Sequence, residues 1–167
     1  MPILIHDKIK ESMKAAEGMY HRLVLLVGKT GSGKTGILHE VANEIGTSVI
    51  SVNLELSRAL LELTARQRSL RLPEMFDKIL DITQSPVILD NLEILFDKNL
   101  KQDPLRLLQG ISRNRSVVAS WSGTFTAGRL FYAETGHPEY RSYDSVDALI
   151  VGMDGTTTVD PSKTIER

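Results

Sequence analysis

The 167-residue sequence predicts an α/β domain of three layers, a mostly parallel five-stranded sheet with helices on both faces. Three observations carry that expectation. Five short apolar runs are separated by stretches in which apolar residues recur at helical spacing. The runs are continuous rather than alternating, as strands buried on both faces require. The first run ends in a glycine-rich turn that opens directly onto a helical pattern.

Ile5, Ile9, Met13 and Ala16 recur ahead of Gly18 and predict an amphipathic helix over residues 3–17. Residues 23–27, LVLLV, form the first strand. Ile37, Leu38, Val41 and Ile45 mark a helix over 34–45 closed by Gly46, and residues 49–52 read as the second strand. Leu56, Leu60, Leu61 and Leu63 give a helical rhythm over 54–68, and Pro73 is expected to open a further helix reaching Ile82. Residues 87–90, VILD, are the third strand. Asp103 and Pro104 form a cap and first-turn pair for a helix carrying Leu105, Leu107, Leu108 and Ile111. Residues 116–120 are the fourth strand, a helix is expected around Leu130, Phe131 and Ala133 with a stop near Gly136, and residues 148–151 are the fifth strand. One domain over 1–153 is expected, followed by a polar segment, 154–167, with the character of a hairpin or a frayed tail.

Apolar residues make up 41% and charged residues 25%, proportions of a globular chain rather than a disordered one. A net charge of −1 with a pI near 6.4 provides no electrostatic footprint for nucleic acid, so DNA contact is not supported by charge. No run approaches the roughly 18 apolar residues of a membrane span. The absence of cysteine removes disulfides and thiolate metal sites. With early charges in MPILIHDKIKESMK and no cleavage-type segment, the expected compartment is the cytoplasm, with no membrane contact.

The chemistry is concentrated in residues 28–36: Gly28, Lys29, Thr30, Gly31, Ser32, Gly33, Lys34, Thr35 and Gly36. Gly28, Gly33, Lys34 and Thr35 match the pattern G-x-x-x-x-G-K-[ST], the P-loop. Glycines let the chain curl so that backbone N–H groups converge on phosphate oxygens, while the helix that follows contributes the positive end of its dipole. Lys34 is the expected point charge for the β- and γ-phosphates of ATP, and Thr35 the hydroxyl ligand for Mg²⁺. A second acidic group is needed around the metal, and Asp90, at the end of the third apolar run, is the candidate. Capping aspartates at strand ends are common, so this position alone is less specific than the loop.

Hydrolysis also needs a group that orients or deprotonates water. Glu93, Glu55 and Asn91 are the candidates; each acid is equally an ordinary surface carboxylate, and Asn91 can position water but cannot take its proton. AAA+ ATPases usually place a glutamate where this chain has Asn91, whereas recombinase-type ATPases place theirs near the position of Glu55. Ser120 and Ser122 are candidate sensors of the γ-phosphate, with ordinary loop serines as the alternative. Arg113, Arg115, Arg129 and Arg141 are candidate arginine fingers or surface charges. Arg66, Arg68 and Arg71 lack an aromatic stacking partner and read as a solvated helix face, and the four histidines show no metal-ligand spacing.

The loop GKTGSGKT, the segment VILDNLEILFD and the later HPEYRSYD together resemble BrxF, the small P-loop proteins of bacterial BREX phage-defence systems. That resemblance implies an ATPase or ATP-dependent switch in the bacterial cytoplasm, accessory to other BREX proteins. A homo-oligomer is left open. Two further readings stand beside it, a small-molecule P-loop kinase and a nucleotide-independent scaffold or DNA-binding module. The kinase would want a carboxylate pair after the second strand, which Asn53-Leu54-Glu55 meets only in part, and intact Lys34 and Thr35 speak against the scaffold.

Overall fold

A computed structural model describes residues 4–80 and 86–158. In chain order the elements are α1 (Ile5–Ala16), β1 (Leu23–Gly28), α2 (Lys34–Ile45), β2 (Val49–Ser51), α3 (Val52–Leu60), α4 (Ala65–Ile79), β3 (Val87–Asp90), α5 (Pro104–Ile111), β4 (Val117–Thr126), β5 (Arg129–Tyr132), β6 (Arg141–Tyr143) and β7 (Leu149–Gly152), with two short 3-10 turns between β3 and α5. Five strands form the expected parallel sheet in the order β2-β3-β4-β1-β7. The long β4 runs beyond it and pairs antiparallel with β5, which in turn pairs with β6.

Because side chains alternate across a strand, each apolar run feeds both faces of the sheet. Val24 and Leu26 of β1 meet Ile9 and Ala16 of α1 and Leu38, Val41 and Ala42 of α2. Leu23, Leu25 and Val27 meet Leu56 and Leu60 of α3, Leu72 and Phe76 of α4, and Leu105 and Leu108 of α5. Helices thus cover both faces, as continuous apolar runs require.

Several expectations are corrected. Val52 starts α3 instead of ending β2, with Ser51 in extended conformation at the N-cap. The helices expected over 54–68 and from Pro73 onward are divided elsewhere: the break falls at residues 61–64, and Pro73 lies inside α4. The true start carries a capping box, in which Thr64 Oγ1 accepts from the Gln67 amide and Gln67 Oε1 accepts from the Thr64 amide. Pro73 has no N–H to give the Ser69 carbonyl one turn earlier, and Gln102 Nε2 donates to that oxygen instead, at 2.8 Å. Ile82 lies outside the described residues.

The segment around Leu130, Phe131 and Ala133 is a strand, not a helix. Ala127 and Gly128 both have positive φ, 53° and 79°, the conformation of a two-residue hairpin turn that matches strand twist. The chain therefore folds back on β4, with Leu130 and Tyr132 buried and Arg129 exposed. β6 was not anticipated at all. After β7, residues 153–158 turn back, with Thr157 bridging Val151 and the Thr158 amide donating to the Ile150 carbonyl. Residues 159–167 of the expected tail lie outside the described residues.

Candidate functional site

The register of the parallel sheet assembles the site. Leu26 lies opposite Ser120 and Gly28 opposite Ser122 across β1 and β4, while Leu89 lies opposite Ala119 across β3 and β4. The C-terminal ends of β1, β3 and β4 therefore stand side by side, the edge at which open α/β sheets hold their ligands. The loop after β1 curls through Gly31 and Gly33 at φ 83° and 98°, with the Ser32 amide donating to the Lys29 carbonyl. Gly33 caps α2 without a side chain, so the first amides of that helix have no side-chain acceptor at the cap. At Gly28 a Cβ would fall 2.6 Å from both Met153 Cγ and Ser32 Oγ. A larger residue there would have to push the Met153 and Ser32 side chains aside.

Lys34 is 8% exposed, and its ammonium donates to the carbonyls of Gly28 and Lys29 at 2.8 and 2.9 Å. Burial holds its pKa below the ordinary value of 10.5, against the opposing pull of Asp90 and Glu93. Asp90 is 5% exposed and uses both carboxylate oxygens: the Thr35 hydroxyl donates to Oδ2 and the Ser120 hydroxyl to Oδ1, each at 2.7 Å. Ser120, like Ser122 a candidate sensor of the γ-phosphate, lines the cleft and gives its hydroxyl to Asp90. Ser122, two residues on, lines the cleft with the loop.

The cleft has a volume of about 350 Å³ and collects Thr30, Gly31, Gly33, Lys34 and Thr35 with Asp90, Asn91 and Glu93. Asn91 has φ 55°, which turns the chain sharply at the end of β3, and its amide donates to Ser51 Oγ at 3.1 Å. Glu93 sits in the first 3-10 turn, anchored by the Ile94 amide donating to Asn53 Oδ1. Glu55 is not brought to the cleft; it lies in the first turn of α3 and pairs with Arg58 at 3.6 Å.

None of the four candidate finger arginines lines this cleft. Arg113 lies over the Tyr20 ring, Arg115 pairs with Asp77, Arg129 with Asp144, and Arg141 donates to the Gln102 carbonyl. Arg68 donates to the carbonyls of Leu60, Leu61 and Leu63, closing the end of α3, so the arginine cluster is partly structural.

The sequence model of the ATPase family associated with various cellular activities (AAA) matches residues 24–117, more than half of the chain. The chain belongs to the AAA family. The matched span of this AAA domain runs from β1 to the start of β4, so it includes Lys34, Thr35 and Asp90, while Ser120 and the β4–β5–β6 ribbon lie beyond it. Proteins of this family bind ATP, usually with Mg²⁺, and often oligomerise. The solved structure of C. elegans PCH-2 is similar over 74% of this chain and 37% of its own, at 19% identity and a TM-score of 0.42. The chain thus spans well under half of that protein, and a likeness of this size bears on the site in no way. No curated protein matches the chain. Among the described residues, no helix is long and apolar enough to cross a membrane.

Proposed function

We propose that this AAA domain binds Mg·ATP in the cleft between the loop after β1 and the end of β3, and acts as an ATPase or ATP-dependent switch. The observation that supports it is the convergence of four side chains from three elements: Lys34 and Thr35 at the start of α2, Asp90 at the end of β3 and Ser120 in β4. The donor set fits the ligand. A hydroxyl and a carboxylate 2.7 Å apart offer the hard oxygens that Mg²⁺ prefers, and the curled backbone and Lys34 offer positive charge to phosphate. When bound, Mg²⁺ would supply charge neutralisation for the phosphates.

In this reading the Lys34 ammonium, now on the loop carbonyls, would turn to phosphate oxygen, and Thr35 and Asp90 are the residues that would hold the metal. Glu93 is the favoured water-orienting carboxylate, because it borders the cleft whereas Glu55 is paired on α3. Asn91 would orient water with its amide oxygen, since its nitrogen is given to Ser51, but takes no proton. The finer assignment, an accessory protein of a bacterial BREX anti-phage assembly in the cytoplasm, rests on the three sequence segments named above. A 1–153 domain carries the whole proposed site.

The test is Mg²⁺-dependent ATP turnover by the purified protein beside Lys34→Ala, with nucleotide binding followed on the same samples. Turnover lost by about 10²-fold or more in the variant supports the ATPase. Binding without turnover supports the switch, and binding equal in both proteins refutes the cleft. For the finer assignment, Lys34→Ala in a BREX-bearing host should abolish phage restriction; intact restriction would refute it.

A further inference from the structure

A second and larger cavity, about 690 Å³, adjoins the nucleotide cleft between the P-loop and the β4–β5 ribbon. Lys29 and Thr30 border it on one side, and Glu93, Glu134 and Glu139 supply its charge. Among the described residues none of these three carboxylates has an ion-pair partner, whereas other surface acids such as Glu44, Asp77 and Asp144 do. The floor is aromatic. Tyr132 stacks on Phe96 at a centroid distance of 3.4 Å, with Trp121 edge-on at 5.9 Å. Tyr132 is only 5% exposed, and its hydroxyl has no hydrogen-bond partner among the described residues.

The side chain is buried but its hydroxyl is not sealed from solvent, so it opens to the cavity, where water or a ligand can meet it. Burial and the nearby Glu93 and Glu139 push the Tyr132 phenol well above its ordinary range, so it stays a neutral donor and acceptor. With three acids against Lys29 the cavity is net negative, and its volume is that of a small-ligand site. A single metal ion is a poor fit. Among the described residues only His6, Asp7 and Glu44 bring three ligand atoms within 4.8 Å of one another, and Lys10 already pairs with both acids there. Acids spread around an aromatic floor suit a cation that carries its own apolar stem.

We propose that this cavity is a binding site for an organic cation, a guanidinium or ammonium on an aliphatic stem, held by Glu93, Glu134 and Glu139 beside the Tyr132 hydroxyl. Its source is either a free polyamine or a basic side chain of a protein, and the chemistry is the same. The cavity needs no bound nucleotide to exist, so binding is tested without any.

Trp121 is the only tryptophan of the chain and touches Tyr132, so its fluorescence reports on the floor of the cavity. The protein is titrated at about 0.15 M salt, where exposed long-range attraction is largely screened. The probes are spermidine, the peptide Ac-Gly-Arg-Gly-NH2 and the same peptide with neutral citrulline. A saturable change with spermidine alone supports a small-molecule ligand; with the arginine peptide alone it supports a protein partner; with both it supports the site for either source. Glu134→Gln combined with Glu139→Gln should weaken binding about tenfold or more, and Tyr132→Phe about 3- to 10-fold, since the stack survives but the hydroxyl is gone. The two glutamates lie on the β5–β6 loop, and a melting curve identical to wild type certifies the fold. No saturable signal with either cation, an equal signal with citrulline, or unchanged affinity in both variants would overturn the proposal.

Discussion

Replacing Ser120 by alanine removes one hydroxyl from a site that is nearly closed to water. Ser120 and Asp90 are each 5% exposed, and the bond between them is 2.7 Å with a carboxylate oxygen as acceptor. A hydrogen bond to a charged group is worth about 1.5–3 kcal/mol, and here its loss leaves Asp90 Oδ1 without its donor. Thr35 still holds Oδ2, so Asp90 keeps one of its two anchors and the fold should survive. The expected outcome is a loss of about 1.5–3 kcal/mol in urea unfolding. Groups that orient a metal ligand also set metal affinity, typically by 10- to 100-fold, so half-saturation of turnover by Mg²⁺ at fixed ATP should rise by about that factor. The assay is a Mg²⁺ titration of ATP turnover beside Ser120→Thr, which keeps the hydroxyl. A Mg²⁺ midpoint unchanged in Ser120→Ala, together with the stability loss, would mean that Ser120 braces the fold without tuning the metal site, and the positioning argument would be wrong.

Three further outcomes follow from the same geometry. Gly123→Ala would place a Cβ 1.8 Å from the Phe131 carbonyl oxygen, a backbone atom that cannot swing aside, so urea unfolding should show a loss of about 3 kcal/mol or more. Gln102→Ala leaves the Ser69 carbonyl beside Pro73 without its donor, and should cost about 1 kcal/mol in the same measurement. The pH dependence of Lys34 has a definite sign. Its folded-state pKa is lowered from 10.5 by burial, so between that lowered value and 10.5 the unfolded chain binds the proton more tightly and stability of the nucleotide-free protein rises with pH. Phosphate binding needs the charged form, so as pH rises ATP affinity should begin to fall before pH 10.5 is reached, and Lys34→Arg should remove that break from the titration.

The P-loop was legible because every position has a reason that few residues can satisfy: glycine where φ is positive or a Cβ would collide, lysine and threonine where charge and hydroxyl meet phosphate and metal. Asp90 was legible as an acid at the end of a buried run. That Ser120 holds Asp90 was not, because the contact is a product of register between β3 and β4, which strand composition does not encode. Pro73 was misread because its preference for a first helical turn is a local rule, and the group that makes an interior position tolerable, Gln102, comes 29 positions later. The ribbon was misread because a short apolar run has no decisive period, and Ala127-Gly128 is not one of the dipeptides, such as Asn-Gly or Asp-Gly, that announce a two-residue turn.

The ribbon also explains why the two cavities meet. β4 begins as a central strand beside β1 and then leaves the sheet, and Gly123 marks the place where it must do so without a side chain. The Ala133 amide closes the ribbon onto the Ser122 carbonyl, which sets Tyr132 against Phe96 and draws the β5–β6 loop over the P-loop. Thr30, Glu93 and Ser122 consequently line both spaces. A phosphate in the cleft adds negative charge beside the acidic cavity, and a cation in the cavity offsets that charge. Since coupling free energy is reciprocal, whatever factor nucleotide adds to cation affinity the cation must add to nucleotide affinity. A partner that reads the cavity is then a partner that reads the nucleotide state, which is the requirement a switch has to meet.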